Sequence, residues 1–355
     1  MEKKIIEHPQ GEVSWESPAN IALVKYWGKF TGQLPMNPSL SFTLRESVVR
    51  ITMKYSLTDD APAGLRSFRL NGEPNPKFQD RIGKYLAAMQ AHYPFLEQAV
   101  IDIESQSTFP HSAGIASSAA AFSALALALG QIEVELAGYH NPDESAFLNK
   151  ASFAARLGSG SACRSVYGGF TEWGRSAHLP GSNDDFAIKI PDADIHPDFR
   201  NLHDTILIVD DSEKKVSSSA GHGLMDGHDF RESRIVQAEK NLGDLLAVLK
   251  NGDQERFAAI VENEALTLHG LMMSSRPGYI LMKPGTIALI DKIRDFRETQ
   301  NIYICFTLDA GPNIHLIYSE KDAAKVRPFI QQELLPYCIN GRWMDDGVGH
   351  GPQQI

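Results

Sequence analysis

Ser17-Pro-Ala-Asn-Ile-Ala-Leu-Val-Lys-Tyr-Trp-Gly-Lys29 places two lysines, Lys25 and Lys29, and two aromatics, Tyr26 and Trp27, at the end of a short apolar run. The run reads as a strand, so the polar cluster sits at a strand end. Alone, it also reads as a surface strand with solvated lysines. Three further segments shift the weight: Pro110-His-Ser-Ala-Gly-Ile-Ala-Ser-Ser-Ala-Ala120, Gly158-Ser-Gly-Ser-Ala-Cys-Arg-Ser165 and Asp309-Ala-Gly-Pro-Asn313.

Outward from that strand, the first half mixes β-rich runs such as Val48 to Tyr55 with two helical segments. One is expected to begin near Ala116; Ala119 to Leu129 is apolar on nearly all sides, which predicts a core helix. The other is announced by Asn141 as cap, Pro142 at the first helical position and Glu144 closing a capping box, and runs to Gly158. From about residue 200 the pattern becomes a strand over 205–209, helices near 232–250, 253–273 and 286–298, strands over 302–308 and 314–318, and a helix near 320–334. That order predicts a ferredoxin-like split βαβ layer. The Gly/Pro/Asp-rich stretch 180–200 marks the boundary, giving parts 1–195 and 196–335 and a tail 336–355 that either packs back on the first part or stays loose.

The 355 residues are 43% hydrophobic, enough for two cored domains. The formal charge of -10 argues against a nucleic-acid surface and leaves room for a local basic pocket. Three cysteines, Cys163, Cys305 and Cys338, give neither a disulfide framework nor a zinc pattern and suit a reducing cytosol. The N-terminus lacks a signal-like stretch, and no segment is expected to span a membrane, so a cytoplasmic protein is expected.

No Walker A loop or protein-kinase signature is present, so nucleotide phosphates would need a helix-terminus cradle. The loop around Gly114 can supply converging N–H groups, and Ser117 and Ser118 add hydroxyls; an ordinary capped helix is the other reading. Ser159, Gly160, Ser161 and Arg164 suit a carboxylate or phosphate, with arginine offering a planar fork; a serine-rich helix start with a surface arginine is the alternative. Asp309 follows an apolar strand, either facing a cleft or as a plain turn residue. Glu264 and His269 are five apart on a helix, the wrong spacing for a shared metal, and read as structural. Cys163 reads as a packed thiol.

In this order the four segments resemble mevalonate diphosphate decarboxylase, a family of the GHMP kinase superfamily, over roughly residues 13 to 318. The resemblance implies an α+β, two-domain GHMP kinase fold, with a ribosomal-protein-S5-domain-2-like first part and a ferredoxin-like second part. It implies ATP-dependent decarboxylation of (R)-5-diphosphomevalonate to isopentenyl diphosphate, with ATP and Mg2+, a small-molecule partner and a homodimer. It assigns Asp309 to the substrate's 3-hydroxyl, Lys25 to that aspartate and Arg164 to the substrate carboxylate. Tyr26, Trp27, Lys29, Ser159, Gly160, Ser161, Ser218 and Ser219 go to the substrate, and Ala113, Gly114, Ser117 and Ser118 to the ATP phosphates.

The chain departs from the family at His111 and Ser112, and at His222, where many relatives carry methionine. His222 either contacts the diphosphate or marks a shifted loop. No metal ligand is assigned beyond a serine of the phosphate loop. A phosphomevalonate decarboxylase, a mevalonate 3-kinase and a catalytically silent GHMP-fold binding protein are the rivals; the presence of Lys25, Arg164 and Asp309 weighs against the last two.

Overall fold

The computed structural model describes residues 9–58, 62–109, 117–138, 143–212 and 216–355. The expected positions His111, Ser112, Ala113, Gly114, Asn141 and Pro142 lie outside them.

The first part is built on one sheet. Strands β1 (Gln10–Val24), β2 (Ser39–Leu57), β3 (Gly64–Leu70), β4 (Glu73–Pro74) and β5 (Ala99–Ser107) lie in the order β1-β2-β5-β3-β4, and β6 (Phe170–Trp173) and β7 (Ile188–Lys189) extend from β2. All pairs are antiparallel except β3 with β5. The β1–β2 register shifts between Pro18 and Asn20, a bulge where proline has no N–H to give the ladder.

Helix α1 (Pro76–Met89) was not among the helices expected; Asn75 caps it by accepting the Phe78 N–H, and Pro76 opens it. Helix α2 (Ser117–Ala137) is the expected core helix and packs on β1 and β2. By length and hydropathy α2 meets the requirement for a membrane span, contrary to the sequence expectation, yet 67% of its most apolar window is buried in protein. Leu125, Leu127 and Leu129 are fully buried, each contributing about 1.5–3 kcal/mol. Helix α3 (Glu144–Gly158) starts two residues later than a cap at Asn141 would set it, because the Asp143 carboxylate accepts the Ser145 and Ala146 N–H groups. It ends where a Cβ on Gly158 would sit 2.1 Å from the Phe122 ring of α2, so only glycine allows this approach.

After the short α4 (Pro197–Arg200), β8 (Leu202–Leu207) opens the second part. Helices α5 (Ser218–Gly223), α6 (Arg231–Asn251), α7 (Gln254–Ser274) and α8 (Pro284–Gln300) follow, then β9 (Ile304–Thr307), β10 (Ile314–Ser319), α9 (Ala323–Phe329) and β11 (Trp343–Gly347). The sheet runs β11-β8-β10-β9, all antiparallel, the ferredoxin-like order. The helix expected over 320–334 is broken: α9 carries Pro328, which cannot donate an N–H, and passes into a π turn over Ile330–Leu334.

The last residues serve both sheets. β11 is the fourth strand of the second, and β12 (Gln353–Gln354) pairs with Trp15 and Glu16 of β1. The Asp346 carboxylate on β11 accepts the backbone N–H groups of Arg45, Glu46 and Ser47 on β2 at 2.7–2.9 Å, tying one sheet to the other. Alternation of apolar residues is absent from Trp343-Met-Asp-Asp-Gly347, so periodicity gave no strand signal there.

Candidate active site

β1 releases the chain at Lys25, inside a cavity of about 700 Å3 where the two parts meet. Lys25 is buried, and its Nζ lies 2.8 Å from Oδ1 of Asp309, which follows β9 and is partly exposed. Burial pulls the Lys25 pKa down, while Asp309 and then Glu264 push it up. The turn at Asp309 is closed by the Gly311 N–H donating to its carbonyl at 2.7 Å. His269 Nε2 lies 3.1 Å from the same carbonyl and must donate to it.

Arg164 sits in a 3-10 turn (Gly160–Val166) just past α3 and is 2% exposed. Its Nε donates to Ser41 Oγ at 2.9 Å, Nη1 to Ser39 Oγ at 2.6 Å and Nη2 to Asn20 Oδ1 at 3.2 Å. Every acceptor is neutral, and among the described residues Arg164 has no ion pair within 4 Å. Three of the five guanidinium N–H groups are thus engaged, leaving two, and a charge with no carboxylate in direct contact, for an anion in the cavity.

The side wall is aromatic. His222, on α5, packs with ring centroids 4.4 Å from Tyr26 and 4.6 Å from Trp27, and its Nδ1 accepts the Gly28 N–H at 3.0 Å. An accepting Nδ1 puts the proton of the neutral ring on Nε2, and burial, helped by Lys29, pushes the pKa down to about 3. The loop therefore brings His222 into the site as a neutral donor. A Cβ on Gly160 would come within 2.7 Å of the Tyr26 hydroxyl, which explains glycine there. Cys163 is buried, donates to the Gly160 carbonyl and has its pKa raised to about 12 by burial, so it is an inert thiol.

At the other end the cavity is basic. Lys29 Nζ donates to Gln33 Oε1 at 2.8 Å, and Lys77 and Arg81 reach the same space from α1. Burial and then Arg81 lower the Lys29 pKa. Among the described residues neither Lys29 nor Arg81 forms an ion pair; the Arg81 guanidinium instead stands 4.8 Å from the Phe122 ring centroid. Ser117 and Ser118 open α2 on this cavity, with Ser118 Oγ 3.2 Å from Ser159 Oγ, and exposed Ser218 and Ser219 open α5 on it.

The cavity thus gathers Lys25, Tyr26, Trp27, Lys29, Ser117, Ser118, Ser159, Gly160, Ser161, Arg164, Ser218, Ser219 and Asp309, every expected site residue that is described. Ala113 and Gly114 lie outside the described residues. Sequence reasoning missed Lys77 and Arg81, whose signal was two cations one helical turn apart after an Asn-Pro cap, Gln33, four residues from its Lys29 partner, and Asn20 and Arg234, which act only through contacts distant in sequence. Among the described residues no group of three or more His, Cys, Asp or Glu side chains is arranged to hold a metal ion. A hard cation carried in on phosphate oxygens fits such a site, because Mg2+ needs few protein ligands.

Residues 17–187 match the model of the diphosphomevalonate decarboxylase-like N-terminal domain, and residues 205–343 that of the mevalonate 5-diphosphate decarboxylase C-terminal domain. The chain is similar to the diphosphomevalonate decarboxylase of Gibberella zeae, 32% identical with 87% of this chain and 81% of the relative covered. It is also similar to that of Saccharomyces cerevisiae, 30% identical over 88% and 79%. Its fold superposes on the mevalonate diphosphate decarboxylase of Staphylococcus aureus with a TM-score of 0.82 at 26% identity, covering 98% of each chain. A structure of MDDEF in complex with MVAPP, AMPPCP and magnesium gives a TM-score of 0.80 at 27% identity, over 98% of this chain and 99% of that one. Fold, matched domains and overall identity agree on one conclusion, that this chain belongs to the mevalonate diphosphate decarboxylase family.

Proposed function

We propose that the protein converts (R)-5-diphosphomevalonate and ATP to isopentenyl diphosphate, ADP, phosphate and CO2. The observation that carries this reading is the pair of buried Lys25 and partly exposed Asp309, 2.8 Å apart, in one cavity with an arginine that has no acidic partner within 4 Å and a basic rim. ATP with Mg2+ is the phosphoryl donor, as supported by the relative solved with AMPPCP and magnesium.

In this reading Asp309 accepts the proton of the tertiary 3-hydroxyl as that oxygen takes the γ-phosphoryl group. Lys25 keeps the carboxylate ionised and offsets negative charge on the transferring group. The phosphorylated oxygen then leaves as phosphate, positive character develops at C3, and the electron pair of the bond to the carboxylate closes the double bond as CO2 departs. Arg164 orients that carboxylate with its two remaining N–H groups, and no protein carboxylate competes for them. Lys29, Arg81, Ser218, Ser219 and neutral His222 receive the diphosphate. Ser117 and Ser118 face the nucleotide phosphates, and one of these hydroxyls would join the Mg2+ shell. When bound, the ion neutralises phosphate charge.

The test is ADP and CO2 release by the purified protein with Mg-ATP and mevalonate 5-diphosphate, beside the 5-monophosphate. Coupled release with the diphosphate is expected. Preference for the monophosphate would move the assignment to the neighbouring decarboxylase, and ADP without CO2 to a 3-kinase. We also place the protein in the cytoplasm, where its three buried free thiols would stay reduced, and as the homodimer the family resemblance implies.

A further inference from the structure

We propose that Arg234 and Glu264 are positioning residues for the chemical step: their buried ion pair grips the Lys25 backbone at both its N–H and its carbonyl, fixing where the Lys25 ammonium meets Asp309. The inference rests on the roles given above to Lys25 and Asp309.

Lys25 is the first residue past β1. Its N–H donates to Glu264 Oε2 at 2.8 Å, and its carbonyl accepts from Arg234 Nη2 at 2.8 Å and Asn37 Nδ2 at 2.9 Å. The two charged partners come from the second part of the chain, Arg234 from α6 and Glu264 from α7. Their own pairing is bidentate, Nη1 to Oε1 and Nη2 to Oε2, both 2.7 Å, and Asn241 Nδ2 donates to Oε1 at 2.7 Å. The two side chains are 1% and 0% exposed.

A buried ion pair is poor evidence of a stabilising role, since packed apolar residues often serve as well. Apolar residues could not reproduce the two-point hold on a backbone that has just left its sheet. The guanidinium also matters, because it bonds Glu264 and the Lys25 carbonyl together, a fork that lysine cannot form. Helix α7 reaches the other member of the catalytic pair too, since His269 bonds the Asp309 carbonyl. One helix therefore bases both ends of the Lys25–Asp309 contact. Glu262, on the same helix, supplies an internal control: it is 4% exposed and pairs with Arg294 and Arg297 of α8, away from the cavity.

The experiment compares Arg234→Lys, the double variant Arg234→Met/Glu264→Gln, which leaves no lone buried charge, and Glu262→Gln, each checked by thermal melting. Kinetics are measured with Mg-ATP and mevalonate 5-diphosphate, with Asp309→Asn alongside. The folded double variant is expected to lose about a hundredfold in kcat, the cost of misplacing a reacting group by about 1 Å, with both KM values within about threefold of wild type. Arg234→Lys should recover part of that loss, and Glu262→Gln should keep wild-type kcat even if it melts earlier. The proposal is overturned if the double variant turns over like wild type, if Glu262→Gln loses kcat in parallel, or if neither Arg234 variant folds, since the pair would then serve stability. Inactive Asp309→Asn beside unaffected clamp variants would sink the clamp alone; a silent wild type would sink the functional reading itself.

Discussion

The Gly28 N–H donates to His222 Nδ1 over 3.0 Å, which leaves the imidazole neutral with its proton on Nε2. Its pKa is held near 3 by burial and then by Lys29. Between that value and the ordinary 6.5, the unfolded chain binds a proton that the fold refuses. Stability is therefore expected to fall as pH drops from about 6.5 toward 3, and His222→Gln should flatten that slope. Melting temperatures of the two proteins from pH 4 to 8 check this; parallel curves would show that His222 titrates normally.

Asp309→Asn should lower kcat about a thousandfold, with KM for mevalonate 5-diphosphate within about threefold, because the lost function is proton acceptance in the transition state. Removing the nearest anion from a buried ammonium also lowers the melting temperature. Steady-state kinetics with unchanged kcat would take Asp309 out of the chemistry.

Arg164→Gln should raise KM for the carboxylate-bearing substrate at least about tenfold and lower kcat, while nucleotide affinity stays unchanged. The substitution leaves the hydroxyls of Ser39 and Ser41 in place, so the receptor loses its charge more than its shape. Nucleotide titration beside substrate kinetics separates the two; an equal loss in both would point to a general defect.

Glu172 is fully buried on β6, its two carboxyl oxygens have no protein partner among the described residues, and burial pushes its pKa up to about 9. The folded state holds the proton that the unfolded state releases above about 4.5, so stability declines as pH rises from there toward 9. Glu172→Gln should match wild type at pH 4.5 and melt higher at pH 8. Denaturation at both pH values decides it, and a lower melting temperature at pH 8 would contradict the assignment.

The chain announced some of this site and hid the rest for physical reasons. Lys25, Arg164 and Asp309 stand in short motifs with recognisable chemistry, and the 2.8 Å Lys25–Asp309 contact follows once the motifs are placed together. Glu264 was read as structural because its spacing from His269 excludes a shared metal, yet its Lys25 partner lies 239 residues away in sequence. Lys77 and Arg81 lie on α1, a helix not expected from the sequence, and only its packing beside α2 and α3 turns them into the cavity. The helix over Glu144–Gly158 is capped by Asp143, whose carboxylate meets two N–H groups at once, while Asn141 lies outside the described residues. β11 escaped notice because its pairing with β8 and the contacts of Asp346, not an apolar alternation, hold it as a strand.

The stitch made by Asp346 bears on how the two sheets can move against each other. A hinge concentrates backbone rotation in a few unrestrained residues, and here three successive N–H groups of β2 are fastened to a strand of the other sheet. Rotation of one sheet against the other about residues 45–47 therefore has to break three hydrogen bonds to a single carboxylate at once.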